Sequence, residues 1–175
     1  MRTLDGQSPA RDKGYRSALH FDVDGEWIVP KTPDEILAAE LKKLAVKAGK
    51  LEVGAGVVSS VANKLPVDAY TVELQFPVSA EAALREACDL LQEEGQLRDD
   101  VARPGSAPAV SAVVKSGFMG LNPAVVTVEV VPVGTAEVKV TVVGRAKEGL
   151  IKQRAGEKVA RKIADQLQHR MGNRG

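Results

Sequence analysis

The chain has 175 residues, 44% of them hydrophobic and 27% charged, enough apolar material for one ordinary core without a metal or disulfide staple. Only 3% are aromatic, so Val, Ala and Leu must fill the interior. Lys and Arg number 24 against 23 Asp and Glu, so no global field points to nucleic acid or an anionic membrane, and the one cysteine excludes an internal disulfide or a cysteine-rich metal site.

Residues 1–16 are polar and rich in turn formers, and read as a disordered tail. They contain no apolar leader, and nothing later approaches a spanning run, so the expected location is cytoplasmic. ALHFDV and EWIV flank Asp24-Gly25, the preferred pair for a two-residue hairpin turn, which sets Phe21 across from Ile28. Thr32-Pro33-Asp34-Glu35 then combines an N-cap threonine, a proline at the first helical position and a capping-box glutamate. The helix it opens runs to about Lys47 with Leu37, Leu41 and Leu44 on one stripe. A small-residue, Gly-rich connector follows, with a short helix or loop over 57–64.

YTVELQF alternates as a strand, and Ser79 caps a helix that stops at Gly95 with Leu84, Ala87, Cys88 and Leu91 at core spacing, which makes Cys88 a buried, inert thiol. QLRDDVARPGSAP reads as a loose polar connection to a strand at 109–115. The valines at 126, 128 and 130 and at 138, 140 and 142 then define two strands joined through Pro132-Val133-Gly134-Thr135. A final helix over about 149–169 lays Gly156, Val159, Ala160, Ile163 and Leu167 along one face, the glycine permitting close approach to the sheet.

These elements predict an α+β protein: a two-layer core at 67–171, with a four-stranded antiparallel sheet in the order β-α-β-β-β-α and both helices on one face. A hairpin-helix accessory segment at 17–66 precedes it.

Several stretches invite chemistry. HFDVDGEWIVPKTPDEIL resembles the first motif of haloacid-dehalogenase-type phosphatases, which would make Asp22 the nucleophile and Asp24 the acid/base. Glu26 departs from that pattern, the later lysine and acidic pair are missing, and an Asp-Gly hairpin explains the same letters. LEVGAGVVSSVANKL resembles a dinucleotide fingerprint, with Gly54, Gly56 and Ser59 opening a helix and Glu73 about where a ribose-binding acid would lie. Ser59 stands there in place of the third glycine, and an antiparallel meander follows instead of further parallel units. His20 and His169 fall in different elements, too few for a zinc site or a hydrolytic triad.

Charge is segregated between the two core helices. Residues 78–101 carry seven acids against two bases, a net of −5, and residues 145–170 carry eight bases against three acids, a net of +5. Arg154, Lys158, Arg161 and Lys162 lie opposite the apolar stripe of the last helix and are candidate anion contacts. The element order resembles that of double-stranded-RNA-binding domains, although YTVELQF precedes the first helix and the basic run of that family is missing. Against this, the acidic helix can lie beside the basic one and neutralise it. In KSGFMGLNPAVV, the turn formers surround Phe118, Met119 and Leu121, apolar residues on a turn that form a candidate partner contact.

The sequence therefore reads as a non-enzymatic binding or interaction protein without a cofactor or metal, its partner another protein or a second copy. The alternatives are a nucleotide-dependent enzyme using Gly54–Ser59 and an RNA-binding module using the last helix.

Overall fold

The structure, a computed structural model, describes residues 20–21, 27–47, 65–102, 105–117, 122–148 and 153–172. In chain order the elements are β1 (His20–Phe21), β2 (Trp27–Ile28), α1 (Pro33–Lys47), β3 (Val67–Phe76), α2 (Ala80–Glu94), β4 (Gly95–Arg98), β5 (Ala109–Ser116), β6 (Asn122–Pro132), β7 (Val138–Lys147) and α3 (Ala155–Gly172). The fold is α+β, as the sequence predicts, but the main sheet has five strands rather than four. They are ordered β3-β7-β6-β5-β4, with every neighbouring pair antiparallel.

The extra strand is β4, which the sequence presents as polar connection. Gly95 closes α2 by donating its N–H to the Leu91 carbonyl and is already extended, so the chain passes from helix to strand without a loop. Only glycine fits, because a Cβ there would overlap the Val113 carbonyl on β5. Gly95, Gln96, Leu97 and Arg98 pair with Val114, Val113, Ala112 and Ser111. Four mixed residues are too few to display the alternation that reveals a strand.

Side chains alternate across the sheet, so the even-numbered valines of β6 and β7 share one face. Val126, Val128, Val130, Val138, Val140 and Val142 are buried there against α2 and α3. On α3 the whole expected stripe of Gly156, Val159, Ala160, Ile163 and Leu167 is buried. On α2 the buried set is Ala83, Ala87, Leu90 and Leu91, while Leu84 and Cys88 are only half-buried. The expected stripe is thus rotated toward the groove between sheet and α3, and the Cys88 thiol is less enclosed than its spacing implies.

The capping box forms as read: Glu35 accepts from the Thr32 N–H at 2.7 Å and the Thr32 hydroxyl accepts from the Glu35 N–H at 3.2 Å. Those hydrogen bonds from Thr32 hold the Glu35 carboxyl below its ordinary value. The helix they start does not join the other two. Ile36 and Leu37 pack with Val101, Val125 and Val113, and Val125 points away from Ala124 and Val126, so α1 covers the opposite face of the sheet. The architecture is two full layers with a partial third, and Ile36 replaces Leu41 and Leu44 as the partner of Leu37 in the contact.

One register differs from expectation. β1 and β2 pair His20 with Ile28 and Phe21 with Trp27, so Phe21 does not face Ile28. The expected Asp24-Gly25 turn itself lies outside the described residues. The β6–β7 hairpin is antiparallel as expected, but β7 continues past Val142, the last valine of its alternation, to Lys147, and the turn closes through the Val133 and Gly134 N–H groups on the Glu137 carbonyl.

α3 begins at Ala155, later than its apolar pattern suggests, because Glu148 fixes the start. Its carboxylate accepts from the Gln153 N–H at 2.5 Å and the Ala155 N–H at 2.9 Å, satisfying amides that a helix terminus leaves open. Arg154 between them takes a positive φ of 51°, a conformation held by those two flanking bonds.

Candidate functional site

The four basic residues singled out on α3 all point away from the sheet and are exposed. Lys162 reaches across to α2, where its Nζ lies 2.5 Å from Glu94, and Gln166 donates to the other oxygen of the same carboxylate at 2.8 Å. One turn further on, Arg170 pairs with Glu93 at 2.5 Å. The acidic and basic helices therefore meet along a seam. Burial pushes the Glu94 carboxyl up, but the hydrogen bonds from Lys162 and Gln166 outweigh it and leave the group below its ordinary value. The Glu93 carboxylate raises Arg170 by the same kind of bond.

On the other flank of α3, Arg161 donates to Glu157 at 3.0 Å and to the Tyr70 hydroxyl at 2.5 Å, its guanidinium 4.8 Å from the Tyr70 ring centroid. Arg154 lies 3.7 Å from Glu157. Lys158 has no acid within ion-pair distance among the described residues. Of the four candidate anion contacts, three are engaged inside the molecule, so a phosphate backbone would have to compete with carboxylates already in place.

A second polar cluster ties the N-terminal segment to the sheet. Arg98 makes two bonds of 2.7 Å to the buried Asp100, Lys31 reaches the same carboxylate at 3.3 Å, and Arg98 lies 3.8 Å from Glu40 on α1. The Lys31 N–H donates to the Asp100 carbonyl and the Ala102 N–H to the Lys31 carbonyl, both at 2.7 Å. Arg98 holds the Asp100 carboxyl below its ordinary value, and Asp100 in turn raises Arg98. Beside the cluster, Leu97, Arg98, Asp99, Ala109, Val110 and Ser111 line a shallow groove of about 390 Å³. The cluster was invisible in the sequence, since Lys31 and Asp100 are 69 positions apart.

Depressed carboxylates make stability depend on pH. The contribution of Asp100 and Glu94 is fully present above their unfolded values, near pH 4, and is lost as pH falls through the lower folded values. The midpoint of urea unfolding is expected to fall progressively as pH drops below about 4. An Asp100→Asn variant should start from a lower midpoint and titrate over that range with a shallower slope. An identical slope would show that Asp100 carries none of the dependence.

The third feature is an edge. β3 runs ten residues and pairs along its whole length with β7 alone. The Glu148 N–H donates to the Pro66 carbonyl at 2.9 Å, which extends the Val67↔Lys147 register by one pair. Hydrogen-bonded pairs alternate along an antiparallel ladder. Asp68, Tyr70, Val72, Leu74 and Phe76 thus direct their backbone groups toward β7. Val67, Ala69, Thr71, Glu73 and Gln75 direct theirs outward, where no partner lies among the described residues.

No protein-family model matches the sequence, and no curated protein sequence does. Solved structures do resemble the chain. A structural-genomics protein from Chromobacterium violaceum is 10% identical, with a TM-score of 0.35, over 59% of this chain and 96% of that one. Norcoclaurine synthase from Thalictrum flavum is 16% identical, with a TM-score of 0.34, over 64% and 91%. An aromatase/cyclase from a Streptomyces species is 8% identical, with a TM-score of 0.29, over 60% and 86%. Likenesses this distant say nothing about a substrate or site.

Phe118, Met119 and Leu121 lie outside the described residues, as do Asp22, Asp24 and the Gly54–Ser59 segment. Glu73, placed by the sequence beside that segment as a ribose ligand, is exposed on β3 and paired with Lys139 of β7 at 2.7 Å. His169 is exposed in the last turn of α3. Among the described residues no group of three His, Cys, Asp or Glu side chains is placed to hold a metal, and no helix is long and apolar enough to cross a membrane.

Proposed function

We propose that this protein is a non-enzymatic interaction module that engages protein partners by strand addition at β3. The observation that supports this reading best is the outward row of backbone groups on Val67, Ala69, Thr71, Glu73 and Gln75. Natural sheets protect such edges with proline, lysine, bulges or short strands. β3 is ten residues long, contains no Pro or Lys and pairs with β7 without a break, and both its charges are engaged within the chain, Glu73 with Lys139 and Asp68 with the Glu157 N–H. The opposite edge, β4, is only four residues long, and Lys31 bridges the chain just beyond it. An extended segment added to β3 would gain main-chain hydrogen bonds, with its alternate side chains beside Tyr70, Val72 and Leu74.

Selection of random heptapeptides on the immobilised protein tests the reading. Selected peptides should slow amide exchange at Thr71 and Glu73 and lose binding in Thr71→Pro, which removes an outward donor without touching the β7 ladder. Peptides that bind without protecting β3 would overturn it.

The nucleic-acid alternative has its own measurement. A Lys158→Glu/Arg161→Glu double variant should change stability by less than about 1 kcal/mol, since exposed pairs contribute little. Both this variant and the parent should bind RNA and DNA weakly and without sequence preference, or not at all. Tight binding by the parent at physiological salt, abolished in the variant, would give α3 the functional role instead.

A further inference from the structure

Resting on that reading of β3, we infer that the partner at this edge is a second copy of the chain, paired antiparallel about a two-fold axis through Thr71. Two requirements restrict the axis. Both copies must keep their helices on the same side, so even-numbered residues must face even-numbered residues and the axis must pass through a residue. The hydrogen-bonding pairs across the new ladder must be the odd-numbered residues, because only they have outward backbone groups. The axis therefore passes through a residue of β3, and its place along the strand is set by which outward residues find partners.

With Thr71 on the axis, Val67 faces Gln75 of the second copy, Ala69 faces its Glu73, and Thr71 faces Thr71. Every outward residue of the strand is then matched within the strand. A slip of two residues in one direction sets Val67 against Pro77, which has no N–H, and in the other sets Gln75 against Leu65, before β3 begins. The side-chain pairs agree with the backbone. Thr opposite Thr and Tyr70 opposite Val72 are favourable cross-strand pairs, and Glu73 and Asp68 meet Ala69 and Leu74, so no like charges are opposed. Glu73 keeps its bond to Lys139, and Asp68 keeps the Glu157 N–H it accepts at 3.3 Å. The product is one continuous sheet with its exposed edges reduced to the two short β4 strands.

Sedimentation equilibrium and disulfide trapping decide the matter. The parent chain should approach twice its 18.5 kDa mass with rising concentration. Thr71→Lys, which opposes two ammonium groups on the axis, and Thr71→Pro should each weaken the dimer about tenfold or more while leaving the melting temperature of the monomer nearly unchanged. In a Cys88→Ser background, Thr71→Cys should oxidise to a covalent dimer and Val67→Cys should not, because only position 71 faces itself. A parent that stays monomeric at about 100 μM while β3 still captures selected peptides would overturn self-pairing and leave the interaction reading standing. A monomer whose β3 captures nothing would end both. A dimer indifferent to Thr71→Lys and Thr71→Pro, or cross-linked equally through either cysteine, would place the interface elsewhere.

Discussion

Gly144→Ala is expected to destabilise the protein by about 3 kcal/mol or more, enough to lower its melting temperature by roughly 10 °C. At this point the backbone of β7 meets the first turn of α3. A Cβ at 144 would overlap the Gly156 carbonyl oxygen and lie 3.0 Å from the Ala160 Cβ. The Gly156 side of the contact is as tight, since a Cβ there would stand 2.6 Å from the Asp68 carbonyl oxygen and 3.0 Å from that of Gly144. Backbone atoms on a strand that pairs on both sides cannot yield as a flexible side chain would, so relief requires lifting α3. That would uncover Ile163 and Leu167, both fully buried. Gly156→Ala should behave alike, whereas Gly134→Ala, with nothing within 4 Å of its added Cβ, should be close to neutral. Thermal unfolding of the three variants checks this, and a Gly144→Ala protein as stable as its parent would mean the strand and helix are further apart.

How far this was readable in the sequence depended on whether a feature was carried by neighbouring residues. The capping box at Thr32 and Glu35, the Ser79 cap and the valine alternation of β6 and β7 are local, and each appears in the structure where the sequence places it. Gly156 on an apolar stripe announced close approach, but not its partner, since Gly144 sits in a strand where a lone glycine has several meanings. The seat of α1 was not legible. Val113 and Val125 are apolar on the face that a simple alternation assigns to solvent, and nothing in either strand says which helix covers them. Nor does any residue of β3 mark it as an edge. That follows from the strand order, which depends on the pairing of segments far apart in the chain. The charge seam lay between: opposite nets on two helices were plain, but the pairing of Lys162 with Glu94 needed both helices on one face.

Asp34→Ala and Lys147→Met should move stability in different directions, although they remove the two halves of one ion pair. Lys147, at the end of β7, is almost wholly buried, with 1% of its side chain exposed, and its Nζ lies 2.6 Å from Asp34 Oδ1 in the first turn of α1. The approach is within ion-pair distance but is not aligned as a hydrogen bond, and Nζ has no other protein partner among the described residues. The pair acts through charge alone. Removing the carboxylate leaves a buried ammonium uncompensated, a loss of 3–5 kcal/mol in a fully enclosed pair. Asp34 is 49% exposed, so water already screens its half and the expected loss is about 1 to 3 kcal/mol, part of it from the helix terminus that Asp34 also favours. Lys147→Met keeps the length of the apolar stem and removes the desolvated charge, so it should be neutral or stabilising by up to about 2 kcal/mol. In the double variant, Asp34→Ala should cost far less than it does alone. Chemical denaturation of the four proteins gives the coupling directly. If Asp34→Ala costs the same with methionine at 147 as with lysine, the ion pair does not hold α1 on the sheet, and Ile36 and Leu37 carry that contact by themselves.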